Sequence, residues 1–303
     1  MLDFQYLTLA DKTEYEKALL AGPSRGCEYS FANLYLWGRQ KMTRLGDFFL
    51  LFSQFNRRTV YPFPVGSGDL RPALDAIIAD AEQRGIPCRI TGLSEVDMQL
   101  IEQLYPGKFR FHCDRDSYDY IYDIRELATL PGRKFQKKRN HLNRFRTAHP
   151  SCTVQPIAEL DIPAVESFAK QWYAAREAED PQGDLYMEKA ALRGALAHYK
   201  ELGLEGLMLL EEGRILAFTM GSFLSADTVD VHFEKADPLA DGAYPAINQA
   251  FAQYLQEKYP HILYLNREDD MGLEGLRKAK LSYNPHRLAE KCWACLLEEG
   301  HDY

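Results

Sequence analysis

Thr228-Val229-Asp230-Val231-His232-Phe233-Glu234-Lys235 decides how the second half of this chain reads. Alternation predicts a strand, with Val229, Val231 and Phe233 on one face and Asp230, His232 and Glu234 on the other. Before it, residues 206–211 and 214–224 predict a hairpin across Glu212-Gly213. After it, a loop at 237–242 leads to a helix over 243–258, a strand over 261–266, a helix over 272–279 and closing strands around 287–297. Upstream stand a strand at 152–157 and helices at 162–179 and 185–202.

The first half repeats this order. A strand over 2–9 precedes a helix over 11–21, and Ser30 caps a short helix through Phe31, Leu34, Tyr35 and Trp37. Strand-like pieces at 42–45, 48–55 and 58–63 are joined by Gly46-Asp47 and, more weakly, by Asn56-Arg57. A helix over 70–84, a strand over 87–91, a helix over 94–104 and paired strands at 109–113 and 118–123 complete the half. The chain of 303 residues exceeds one ordinary core, so two domains of one architecture are expected, 1–128 and 129–303. Three antiparallel strands ahead of a strand-loop-helix-strand unit resemble the plan of the GNAT acyltransferase fold. The expected class is therefore a mixed α/β sheet in two tandem GNAT-like domains.

Between the halves lies Gly132-Arg133-Lys134-Phe135-Gln136-Lys137-Lys138-Arg139-Asn140-His141-Leu142-Asn143-Arg144-Phe145-Arg146, with seven Lys or Arg in fifteen positions. Pro131-Gly132 and His149-Pro150 bound it, and no β-branched run or internal Pro interrupts it, so it predicts a helix of about four turns. Phe135, Leu142 and Phe145 form a stripe for burial, while Arg133, Lys137 and Arg144 line one flank and Lys134, Lys138 and His141 the other. No carboxylate occurs over 127–158, and the chain carries a net charge of -8, leaving about -15 on the remainder. A cationic face in an acidic protein suits an anionic ligand better than solvent alone.

Composition is globular, at 46% hydrophobic and 26% charged residues. The N-terminus lacks a signal pattern and no apolar run approaches a membrane span, so a cytoplasmic protein without a membrane span is expected. Cys27, Cys88, Cys113, Cys152, Cys292 and Cys295 show no disulfide-framework spacing and read as free thiols. Cys292 and Cys295 fall on opposite faces of a strand, so no metal site is expected.

Three ionisable groups in a row, Asp230, His232 and Glu234, are costly to bury, so their face is expected to line a wet pocket. His232 or Glu234 is the candidate proton acceptor. At the end of the strand over 261–266 come Asn266, Arg267 and Glu268, then Arg277, Lys280 and Tyr283, where open α/β sheets bind ligands. Gly66-Ser67-Gly68 and Gly242-Ala243 each open a helix after a strand, where N-H groups can receive a phosphate. Gly22-Pro23-Ser24-Arg25-Gly26 matches G-x-S-x-G, but a helix precedes it where a nucleophile elbow needs a strand. It reads as a loop.

With these residues in view the chain resembles the bacterial family of uncharacterised proteins grouped with the C-terminal catalytic domain of phosphatidylglycerol lysyltransferases, which is related to the Fem-type aminoacyltransferases. Carrying the resemblance are Cys27 through Asn33 with Trp37, the basic stretch through Phe145, His232 to Asp237 with Gly242 and Tyr244, and Asn266 to Gly272 with Arg277 and Lys280. It implies an acyl or aminoacyl transferase, with aminoacyl-tRNA or a coenzyme A thioester as donor substrate and no tightly bound cofactor. The donor would lie on Arg133, Lys137, Lys138, Arg139, Asn140, His141 and Arg144, contacting a tRNA acceptor end or coenzyme A phosphates. The acceptor would be a small molecule or a lipid headgroup. Full-length lysyltransferases carry many membrane helices, which weighs against phosphatidylglycerol itself. The competing expectation is a non-catalytic binding or regulatory protein with a degenerate GNAT fold.

Overall fold

A computed structural model describes residues 1–23, 25–37, 40–55, 58–179 and 185–297. Ser24 and the expected turn at Asn56-Arg57 lie outside them. In chain order the strands are β1 (Gln5–Tyr6), β2 (Lys41–Leu45), β3 (Phe48–Phe55), β4 (Arg58–Pro62), β5 (Arg89–Leu93), β6 (Phe109–Cys113), β7 (Asp119–Asp123), β8 (Thr153–Pro156), β9 (Glu205–Glu211), β10 (Arg214–Phe223), β11 (Thr228–Ala236), β12 (Tyr264–Asn266), β13 (Arg287–Ala289) and β14 (Cys292–Leu296). The helices are α1 (Lys12–Ala21), α2 (Phe31–Leu36), α3 (Arg71–Arg84), α4 (Glu95–Leu104), α5 (Ile124–Thr129), α6 (Gln136–Ala148), α7 (Ile162–Glu179), α8 (Tyr186–Ala197), α9 (Ala243–Lys258) and α10 (Glu274–Leu281).

Two seven-stranded sheets organise the chain, ordered β1-β2-β3-β4-β5-β14-β6 and β13-β7-β12-β11-β10-β9-β8. Each sheet holds a parallel pair, β4 with β5 and β11 with β12, with antiparallel pairs on both sides of it. The compact units are Met1–Asp119 with Asp269–Leu273 and Leu288–Tyr303, and Tyr120–Glu268 with Glu274–Arg287. They interleave along the chain, unlike the linear segments 1–128 and 129–303.

The expected pairing of the strands near 109–113 and 118–123 does not form. Between β6 and β7 the chain makes a 3-10 turn, Arg115–Ser117, in which Asp114 accepts a hydrogen bond from Asp116 N. The two strands are taken up by different sheets. β6 pairs instead with β14, and β7 with β12. In the first sheet β14 lies between β5 and β6; in the second, β7 lies between β12 and β13. Cys292 stands opposite Cys113 in this register and the two form a disulfide, correcting the expectation of free thiols. Sequence spacing could not show it, because 179 residues separate them.

Local rules explain many of the elements. Ser30 accepts from Asn33 N at the start of α2, and Ser94 with Asp97 makes a capping box on α4. Asp123 accepts from the N-H groups of Arg125 and Glu126, which starts α5, a short helix the sequence reading lacks. The first unit buries Leu50, Leu51, Tyr61, Leu74, Ile77 and Ile90 completely. In the second, Ile247, Phe251, Ala252 and Leu255 form the buried stripe of α9, packed on β9 and β10. Burying each large apolar side chain contributes about 1.5–3 kcal/mol.

Candidate active site

β11 is interior, flanked by β10 and β12. Its polar face is not the wet wall expected from sequence: Asp230 and His232 are buried, and only Glu234 of the three is partly exposed. The pairing with β10 slips at one point. Met220 opposes Phe233 and Gly221 opposes Val231, so His232 is an extra residue in a bulge. Gly221 has no room for a side chain, since a Cβ would lie 2.3 Å from the Asp230 carbonyl oxygen.

The bulge brings His232 Nε2 within 2.8 Å of Ser222 Oγ, and both side chains are buried. Nδ1 lies 3.4 Å from Asp230 Oδ2 and 3.6 Å from Glu268 Oε1. Glu268 arrives because β12 runs parallel to β11 with Asn266 opposite Asp230. Asn266 Oδ1 then accepts from Glu268 N at 2.7 Å, turning the chain at a residue of positive φ.

Two positions along β11, Glu234 accepts from Arg267 Nη2 at 2.8 Å and from Asn248 Nδ2 at 3.4 Å. The Arg267 guanidinium lies over the rings of Tyr122 and Tyr283, 5.7 and 4.9 Å from their centroids. Lys138 Nζ is 3.6 Å from the Tyr283 centroid, so one aromatic ring is in contact with two cations. Burial pushes the Lys138 ammonium down to about 8, with Arg267 adding to the shift and Glu234 opposing it. Burial alone would also lower Arg267, but Glu234 and the two tyrosines hold it above its ordinary value.

Lys138 belongs to α6, so this cluster is continuous with the basic helix. On the outer side of α6 a shallow depression is lined by Lys137, Asn140, His141, Asn143 and Arg144. Arg133, just ahead of α6, is exposed. His141 and Arg144 approach Asp241 at 3.4 and 3.3 Å. Arg139 faces inward, with Nη1 donating to the carbonyls of Leu130 and Gly132. Lys134 pairs with Glu126 at 2.7 Å. The helix is thus partly neutralised by acids from outside the carboxylate-free stretch.

The other expected residues divide in the same way. Lys280 Nζ donates to the carbonyls of Arg267 and Glu268, fixing the turn after β12. Gly242, at φ 88°, begins α9 where a Cβ would meet the His141 carbonyl oxygen at 2.5 Å, so its form is explained by close packing of α9 on α6. Tyr244, at the start of α9, is 39% exposed and close enough to Glu234 for that carboxylate to act on its hydroxyl, and Arg277 is half-buried on α10. Sequence reasoning missed Ser222 and Asn248. Asn248 carried a signal, as an amide beside the apolar stripe of α9.

The first unit holds a cluster of its own. Lys291 Nζ lies 2.7 Å from Asp119 Oδ1, 3.4 Å from Glu28 Oε2, 3.4 Å from Asp269 Oδ2 and 3.5 Å from Cys27 Sγ. Burial would lower its pKa, but these groups hold it well above the ordinary lysine value. Asp119 also accepts from Cys27 N at 2.7 Å.

With this geometry in hand, comparison with known proteins is decisive at the level of family. Residues 21–295 match the model of the phosphatidylglycerol lysyltransferase C-terminal family. The chain belongs to that family. A conserved protein of unknown function from Bacteroides thetaiotaomicron is 38% identical, with TM-score 0.92 over 98% of this chain and 100% of that one. L-PGS from Bacillus licheniformis is 16% identical, with TM-score 0.69 over 95% and 92%. FemX is 12% identical, with TM-score 0.61 over 98% of both. These two share the fold.

An uncharacterized protein of Mycoplasmoides gallisepticum is 25% identical over 206 residues, 67% of this chain and 63% of that protein, so the match spans less than two thirds of this relative. The two mixed sheets are the expected mixed α/β class, and the fold is shared with L-PGS and FemX. Among the described residues no helix is long and apolar enough to cross a membrane.

Proposed function

We propose that the protein transfers an activated acyl or aminoacyl group, from aminoacyl-tRNA or a coenzyme A thioester, to an amine or hydroxyl acceptor by direct attack. The observation that carries this reading is the continuity of the Glu234–Arg267–Tyr283–Lys138 cluster with the exposed cationic face of α6. Arg133, Lys137 and Arg144 hold donor phosphates, and the acyl carbonyl lies towards Arg267. Glu234 takes the proton of the acceptor, with Asn248 and Arg267 orienting its two oxygens. His232 is not given that role, because its ring is buried and its Nε2 is engaged by Ser222. A net charge of -8 favours a local contact at the phosphate-bearing end of the donor over broad coverage of an RNA. The acceptor class includes small molecules and lipid headgroups.

The test has two stages. A thermal-shift screen with acetyl-coenzyme A, aminoacyl-tRNA and lipid headgroups identifies the donor, since a ligand of the native state raises the melting temperature. Single-turnover transfer is then compared for the parent and Glu234→Gln, where loss of a general base lowers the rate about 10²- to 10⁴-fold with donor binding retained. Full activity in Glu234→Gln refutes the assignment of the base. A parent that binds a donor but transfers nothing to any acceptor favours the binding-protein reading.

A further inference from the structure

One ring nitrogen in the β11 bulge lacks a partner. His232 is 7% exposed, yet Nδ1 has no hydrogen-bond partner among the described residues. Its neighbours, Asp230 Oδ2 at 3.4 Å and Glu268 Oε1 at 3.6 Å, are beyond the roughly 2.7–3.2 Å of an N–H···O bond. Buried polar atoms are seldom left this way.

The tautomer explains what Nδ1 faces. When Nε2–H donates to Ser222 Oγ at 2.8 Å, Nδ1 presents a lone pair to the two carboxylates. A lone pair opposite carboxylate oxygens is repulsive, and a cation between them relieves it. The spacing fits one. Tetrahedral bonds of about 2.0–2.2 Å put ligand atoms roughly 3.3–3.5 Å apart, close to the 3.4 and 3.6 Å found here. One donor atom from each of Asp230, His232 and Glu268 lies within 4.8 Å of the others.

The geometry points to a divalent-cation site of the zinc or manganese class, with His232 Nδ1 and the carboxylates of Asp230 and Glu268 as ligands and Ser222 orienting the imidazole. One imidazole with two carboxylates and no thiolate suits those ions. Three protein ligands leave a coordination position for water or a substrate oxygen, on the side where Glu268 is 26% exposed. The Cys27, Glu28 and Asp119 group in the first unit has similar spacing but contains the Lys291 ammonium, which is its own cation.

The experiment is independent of transfer activity. Full-length protein stripped with chelator is titrated with zinc chloride, and separately with manganese chloride, by calorimetry and thermal shift; cobalt chloride reports four-coordinate geometry through its visible bands. One equivalent per chain is expected with a rise in melting temperature. Ser222→Ala, which frees the imidazole to rotate, should weaken affinity about 10- to 100-fold. Glu268→Gln, a change at a partly exposed side chain, should abolish the saturable site while leaving the circular dichroism spectrum unchanged. No saturable binding by the parent overturns the proposal. So does binding to Glu268→Gln with the parent's affinity, which would put the ion elsewhere.

Discussion

Replacing Lys138 by Met should change the pH dependence of stability in a defined window. The Lys138 ammonium is pushed from the ordinary 10.5 to about 8, chiefly by burial. Below pH 8 the folded and unfolded chains both carry this proton, and the cost of holding the charge in the fold is fully present. Between pH 8 and 10.5 the unfolded state binds more protons, so the contribution of Lys138 to stability becomes less unfavourable as pH rises. Above 10.5 both states are neutral and the cost is gone. The full shift corresponds to about 3 kcal/mol, and solvent screening of a half-buried group reduces it to about 1–2 kcal/mol. Burial raises Tyr122 and Tyr283 above the ordinary tyrosine value in parent and variant alike, so their contribution cancels in the difference. Urea denaturation of parent and Lys138→Met from pH 7 to 11 gives two curves whose difference should rise by that amount between pH 8 and 10.5. Parallel curves would refute the reasoning.

On the same helix, Lys137→Ala and Arg144→Ala should weaken an anionic donor while leaving stability nearly unchanged, each lowering the slope of log affinity against log salt by about one for an RNA donor. Salt titrations with unchanged slopes would reduce this face to a charged surface. Arg139→Ala should behave oppositely, losing about 1.5–3 kcal/mol of stability because two backbone carbonyls lose a charged donor; an unaltered urea midpoint would contradict the inward orientation. Gly242→Ala adds a Cβ 2.5 Å from the His141 carbonyl oxygen and 3.0 Å from Phe145 Cβ at a positive φ. A loss of about 2–4 kcal/mol is expected, and a change within experimental error would show that α9 does not press on α6 here.

Legibility in the sequence followed the range of the interactions. α9, at Ala243–Lys258, and the hairpin of β9 and β10 rest on periodicity and a two-residue turn, which a local reading sees. The pairing of β7 with β12, and of β14 between β5 and β6, depends on which strand edge is open, and no local pattern records that. The site divides likewise. Glu234, Arg267 and Lys138 were individually legible as ionisable residues on amphipathic or strand-end positions. That they meet around Tyr283 is a product of three separate elements. The alternation of β11 was legible, but the inference of a wet face assumed that a row of charges needs water. Ser222, Asn248 and Arg267 supply hydrogen bonds instead. The bulge that singles out His232 is set by Gly221 on the neighbouring strand, and a single glycine there has many other readings.

The place of β14 between β5 and β6 has a consequence during synthesis. A ribosome adds about 5–20 residues per second, so roughly 10–35 s pass between the appearance of β6 and that of the strand that joins it to β5, given the 179 residues from Cys113 to Cys292. Through that interval the nascent chain presents two bare sheet edges that can capture a wrong strand. The first unit is the earliest to emerge and cannot be the earliest to finish, and its last piece arrives only after β7–β13 have all been made.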